Sequence, residues 1–329
     1  MEARENLLVV DRLKTQFFTY GGVVEALDEV SFEIEKGEIF GLVGESGCGK
    51  SVTATSILGL VAKPGRVISG RILLDGENLL EKNDHEMNDV RGSRIAMIFQ
   101  DPTSSLNPLF RIGRQVAEPY VYHQHRPKRQ ALKDATEILT KTGFPDADEK
   151  ARNYPHELSG GLRQRAMIAM SLTCEPELLI ADEPTTNLDV TIGRQILDLV
   201  KDLQREFGAS VLWITHDMAV VAQMCDHVGV MYAGSIVEKT DVRTLFRNAK
   251  HPYTERLLRA IPSAVKSTDK LEEIPGSVPR LINPPTGCRF HPRCDYVMAV
   301  CSSVKPPEQE IEPGHWVACH RFAGEREAT

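Results

Sequence analysis

Residues 44–51, Gly44-Glu45-Ser46-Gly47-Cys48-Gly49-Lys50-Ser51, fit the pattern G-x-x-x-x-G-K-[ST]. A short apolar run at 39–43, suited to a buried strand, precedes them, and a helical stretch opening on Val52 and running through 52–60 follows. Strand, glycine-rich turn and helix together are the context in which this pattern has meaning. The glycines let successive backbone N–H groups turn inward on phosphate oxygens. The helix N-terminus adds about half a positive charge at the same place. Lys50 supplies a point charge for β and γ phosphates, and Ser51 a hydroxyl for Mg²⁺.

The rest of the chain agrees with an α/β domain. Residues 178–181 and 211–215 read as buried strands separated by a helix near 192–207, an alternation that predicts a largely parallel sheet. Residues 30–34 alternate as a strand, 72–75 with Gly76 read as a hairpin arm, and 227–236 as a closing strand pair. Between about 104 and 165 strand signals are absent. The amphipathic stretch 130–140 and a further helix at 163–172 make this a helical insertion.

A length of 329 residues suggests about two domains. No run of 18 apolar residues occurs, so no spanning helix is expected. The opening Met1-Glu2-Ala3-Arg4-Glu5-Asn6 holds no apolar core, which argues against a secretory leader. A formal net charge of −7 gives no support to nucleic-acid binding.

Beyond about 255 the chain is proline-rich, and a tail of this composition is expected to bury little surface through regular elements. Four of the seven cysteines, Cys288, Cys294, Cys301 and Cys319, fall in this tail. Clustered cysteines without a secretory context point to a metal rather than to disulfides. Four thiolates can saturate either a tetrahedral Zn²⁺ or a [4Fe–4S] cluster, and ligation would replace the missing core. His291 and His320 are minor candidates as zinc ligands.

A second constellation completes the first. Residues 178–183, Leu-Leu-Ile-Ala-Asp-Glu, are an apolar strand ending in two carboxylates. Asp182 can hold Mg²⁺ through water, and Glu183 can polarise an attacking water. Leu158-Ser159-Gly160-Gly161-Leu162-Arg163-Gln164-Arg165, Gln100 after the strand 95–99, residues 184–189 and His216 after the strand 211–215 follow in a fixed order. On these motifs the chain, over about residues 7–250, resembles the ATP-binding subunits of ABC transporters. Leu162 stands where Gln is commonest in that family, and Asn187 where Ala is frequent.

The resemblance implies a P-loop ATPase fold with a mainly parallel sheet, an antiparallel β subdomain and a helical subdomain at about 104–165. It implies that two such domains pair head-to-tail, so that Ser159, Gly160 and Gly161 contact ATP held by the partner. Gln100 would reach Mg²⁺ and the attacking water, and His216 the γ-phosphate. Counting from Leu13 against the family pattern favours Phe17, over Phe18 and Tyr20, as the adenine platform. The thiol of Cys48 is expected to take no part.

The segments His251-Pro252-Tyr253-Thr254, Ile274-Pro275-Gly276 and 287–294 resemble the ATPases of dipeptide and oligopeptide importers. Nickel and other small-solute importers share parts of this tail. That resemblance implies an extension at 251–329, beyond an ATPase domain at 1–250. It favours [4Fe–4S] over zinc, and over reduced free thiols or disulfides, at the four cysteines. It also implies two membrane permeases, a second ATPase subunit (a paralogue or an identical chain) and an extracytoplasmic substrate-binding protein as partners. The chain would then sit peripherally at the cytoplasmic membrane face. A soluble ABC ATPase not coupled to transport is the reading of another class.

Overall fold

A computed structural model describes residues 5–186, 188–261 and 274–323. Asn187 lies outside the described residues. Among those residues the strands run β1 (Asn6–Thr19), β2 (Gly22–Glu35), β3 (Ile39–Val43), β4 (Gly65–Leu74), β5 (Glu77–Asn78), β6 (Ile95–Ile98), β7 (Leu178–Asp182), β8 (Ser210–Thr215), β9 (His227–Tyr232), β10 (Ser235–Asp241), β11 (Gln309–Glu312) and β12 (His315–Val317). The chain forms two compact units. One takes Met1–Leu7, Glu35–Glu38 and Glu81–Trp213; the other takes Leu8–Ile34, Ile39–Leu80 and Ile214–Thr329.

In the first unit β6 pairs in parallel with β7, from Ile95 opposite Leu178 to Ile98 opposite Ala181. Every residue of β7 is buried, as a parallel strand covered on both faces requires. Residues 102–172 hold helices at Pro102–Ser105, Ile112–His123, Lys128–Lys141, Ala147–Lys150 and Gly160–Leu172, and no strand. Ala131, Ala135, Ile138 and Leu139 line the buried face of Lys128–Lys141, which packs on Ile112–His123. The helix Val190–Phe207 starts where the Asp189 side chain accepts from the Ile192 N–H at 2.9 Å. It stops at Gly208, whose left-handed φ of 67° a residue with a side chain rarely adopts.

In the second unit β2, β1, β4 and β5 form an antiparallel sheet in that order. β3 pairs in parallel with β9, and β9 and β10 form an antiparallel hairpin. β12 then adds to the free edge of β10, and β11 to β12.

This last addition differs from the expectation for the tail. With three and four residues, β12 and β11 are too short to show a period in sequence. The tail also buries an aromatic ring in a core that it shares with β3 and β9. Phe290, 1% exposed, meets Tyr232 edge-on at 5.1 Å between ring centres, and Tyr253 at 5.4 Å. Burying one such ring contributes about 1.5–3 kcal/mol, and each aromatic pair about 0.5–1.5 kcal/mol more. Apolar packing and an edge strand therefore help to order this segment. Ion pairs from Lys305 to Asp28 at 2.8 Å and Glu29 at 2.9 Å add little, because both ends are partly solvated.

Candidate active site

The turn after β3 is shaped by what its glycines touch. A Cβ on Gly44 would stand 2.1 Å from the Met231 carbonyl oxygen. Gly49 caps the helix Lys50–Ile57 with φ +111°, and a Cβ there would lie 2.8 Å from the Ala26 carbonyl oxygen. Only glycine fits either place, because the loop backbone packs directly on its neighbours there. The Gly234 N–H holds the loop through the Cys48 carbonyl at 2.8 Å. The ammonium of buried Lys50 donates to the carbonyl of Gly44 at 2.7 Å and to that of Glu45 at 3.2 Å. Ser46 and Gly47 are exposed at the loop tip, and Ser51 and Val52 lie in the first helical turn. Burial pushes the Cys48 thiol up, which keeps it protonated, in line with a backbone role for this residue.

His216 is exposed just after β8, where the Thr215 hydroxyl accepts from the Asp217 N–H at 3.0 Å. Phe17 is half-buried, opposite Gly65 across the β1/β4 ladder. Phe18 lies on the other face of the strand under the Arg66 guanidinium, and Tyr20 is fully exposed.

The first unit carries the carboxylate end. Asp182 is buried as the last residue of β7. Glu183 turns the chain out of the strand with φ 46°, a left-handed conformation that costs about 1–3 kcal/mol in a non-glycine residue. Its carboxylate accepts from Gln100 Nε2 at 3.2 Å and from the Thr186 hydroxyl at 3.1 Å. Residues 83 apart in sequence are thus joined on one oxygen. Thr186 was not singled out from the sequence; the signal available was a hydroxyl three residues after Glu183, across one turn. Ser159 caps the helix Gly160–Leu172, its hydroxyl accepting from the Leu162 N–H at 3.4 Å. A Cβ on Gly161 would meet Ile192 at 2.9 Å, so this helix start also admits little beyond backbone. Leu162 uses only its N–H here.

The residues expected from the sequence share one feature, each within its own element. The glycine loop follows β3, Gln100 follows β6, Glu183 follows β7 and His216 follows β8, each at the carboxyl end of its strand. Ligands of open α/β sheets bind at such ends.

The cysteine expectation needs correction. Cys288, Cys294, Cys301 and Cys319 are all free thiols. Among the described residues no group of three or more His, Cys, Asp or Glu side chains is arranged to hold a metal ion. The expected [4Fe–4S] or zinc ligand set is therefore not assembled. Burial first, then the neighbouring Cys319, Cys301 and Cys294, push the Cys288 thiol up to about 11. Burial likewise raises Cys294 and Cys319. The histidines are engaged elsewhere: His291 Nδ1 donates to the Cys288 carbonyl at 2.9 Å, and His320 Nε2 to the Val304 carbonyl at 2.8 Å.

Residues 27–186 match the ABC transporter family, and residues 237–301 match the oligopeptide/dipeptide transporter C-terminal region. A probable peptide ABC transporter ATP-binding protein of Sinorhizobium fredii is 50% identical over 96% of this chain and 95% of that protein. The chain belongs to the ATP-binding proteins of ABC transporters, oligopeptide/dipeptide type. A dipeptide transport ATP-binding protein, DppD of Bacillus subtilis, is 47% identical to this ABC protein over 96% of it and 94% of the relative. The dimeric structure of the ATP-binding cassette MJ0796, in a post-hydrolysis state with ADP and Pi, superposes with a TM-score of 0.65 at 26% identity. It covers 72% of this chain and 99% of the cassette. As a member of this family the protein is an ATPase of the P-loop fold. Among the described residues, no helix is long and apolar enough to cross a membrane.

Proposed function

We infer that this ABC protein hydrolyses ATP to power uptake of dipeptides or oligopeptides through membrane permeases. The observation that carries the peptide reading is the matched C-terminal region at 237–301, a part the bare ATPase does not need. We assign residues 1–250 to the ATPase domain and 251–329 to the peptide-importer extension. Two permeases, a second ATPase subunit (paralogue or identical chain) and an extracytoplasmic binding protein complete the transporter. The chain works at the cytoplasmic membrane face.

The backbone of Gly44–Ser51 and Val52 cradles the phosphates, and Lys50 neutralises them. Phe17 stacks on adenine. The donor set of Ser51, Gln100 and Asp182 suits Mg²⁺, an oxygen-seeking ion that would offset phosphate charge when bound. Glu183 accepts the proton of the attacking water, oriented by Gln100, and His216 donates to the γ-phosphate. Ser159, Gly160 and Gly161 offer a hydroxyl and backbone N–H groups to the nucleotide held by the partner subunit. In vesicles carrying the permeases, the complex is expected to accumulate labelled peptide only with ATP. Robust hydrolysis with no peptide uptake, whatever the binding protein, would sink the assignment.

A finer reading concerns the tail thiols. Cys288, Cys294, Cys301 and Cys319 lie near enough to act on one another, and by the family resemblance they would close on a shared [4Fe–4S] cluster, or zinc, whose binding would itself deprotonate them. Anaerobic protein should then show a broad absorbance near 400 nm that Cys288→Ser abolishes. A colourless chain free of iron and zinc would end this reading.

A further inference from the structure

The tail reaches the phosphate loop through two side chains that belong to no nucleotide motif. Tyr253 is completely buried in the helix Pro252–Arg259. Its hydroxyl accepts the backbone N–H of Glu45 at 3.0 Å. The ring is held by Tyr232 at 4.7 Å and Phe290 at 5.4 Å, and the helix start by His251, whose Nδ1 accepts from the Tyr253 N–H at 3.1 Å. The second contact is ionic. Arg293 Nη1 and Nη2 grip the Glu45 carboxylate at 2.8 and 3.2 Å, with the Arg293 side chain only 6% exposed. Its remaining donors are committed to the Pro275 carbonyl at 2.8 Å, the Ile274 carbonyl at 3.2 Å and the Tyr232 hydroxyl at 3.4 Å. The guanidinium is therefore a fixed post.

The chemistry makes this arrangement more than packing. An acidic side chain in a loop that must receive phosphates is an electrostatic liability, because like charges repel strongly where water is scarce. A bidentate arginine cancels that charge and fixes its direction at once. The Tyr253 bond also commits one N–H at the start of the loop, so that the turn toward phosphate begins beyond Glu45. We propose that Tyr253 and Arg293 are positioning residues that set the loop's affinity for ATP, making the tail part of the nucleotide site. This rests on the ATPase activity of the chain and extends it.

Steady-state ATPase kinetics on the complex, with unfolding temperatures alongside, test it. Arg293→Gln is expected to raise KM for ATP about tenfold, with kcat within about threefold, as loss of a charge-assisted contact acting on binding alone predicts. Tyr253→Phe keeps the ring and should raise KM about threefold to tenfold. Arg293→Lys keeps the charge but not the fork, and should fall between wild type and Arg293→Gln. Adding Glu45→Gln to Arg293→Gln removes the uncompensated charge and should recover most of the KM, and recovery in KM without a matching change in unfolding temperature separates this role from a purely structural one. Wild-type KM in folded Arg293→Gln and Tyr253→Phe overturns the proposal. So does a loss confined to kcat and unfolding temperature, or a KM shift that Glu45→Gln leaves in place. A wild-type complex that fails to hydrolyse ATP would instead overturn the ATPase reading beneath it.

Discussion

Glu183→Gln is expected to retain ATP affinity within about threefold of wild type while turnover falls by about 10²–10⁴-fold, the usual contribution of a general base. The geometry explains the separation. Gln100 Nε2 and the Thr186 hydroxyl both donate to one Glu183 oxygen, at 3.2 and 3.1 Å. A glutamine side chain is nearly isosteric, and its amide oxygen accepts both bonds. What it lacks is a basic oxygen for the proton of the attacking water. Filter binding of labelled ATP and a phosphate-release assay read the two quantities independently. Wild-type turnover in this variant would falsify the assignment of Glu183 as base.

Lys50→Ala is expected to act on the other quantity, lowering ATP affinity by at least about 100-fold. A hydrogen bond to a charged group contributes about 1.5–3 kcal/mol, and each 1.4 kcal/mol is about tenfold in binding. Lys50 brings several donors and a full charge to two phosphates. In the structure its ammonium already bridges the Gly44 and Glu45 carbonyls at 2.7 and 3.2 Å, so the substitution also slackens the loop. Fluorescent-nucleotide titration measures the loss, and a retained cooperative unfolding transition shows that the chain still folds. Unchanged affinity in a folded Lys50→Ala protein would contradict the role given to this residue.

The nucleotide motifs were legible in the sequence because their chemistry is local. The loop at 44–51 needs glycines where the backbone packs on Met231 and Ala26, and no other residue type survives there. The strands β3, β7 and β8 are fully buried, so each is a plain apolar run that can be read without partners. The amphipathic helix Lys128–Lys141 declared itself by spacing alone.

Other features depended on groups far apart in the chain. The bond of Gln100 to Glu183 spans 83 residues, and that of Arg293 to Glu45 spans 248. Motif spacing marks Gln100 and Glu183 singly, but nothing in the sequence marks either pairing. The packing of the tail was hidden for the same reason. Its proline content argued for a segment that buries little surface through regular elements. The structure instead gives Phe290 a pocket made by Tyr232 and Tyr253, and gives β12 the open edge of β10. The sequence by itself determined the nucleotide-loop chemistry, the α/β class and the family, since glycine, lysine and carboxylate patterns are short-range demands of phosphate and metal binding. Only the tertiary structure decided what the tail rests on and that Tyr253 and Arg293 hold the phosphate loop, because burial and pairing are properties of the folded neighbourhood.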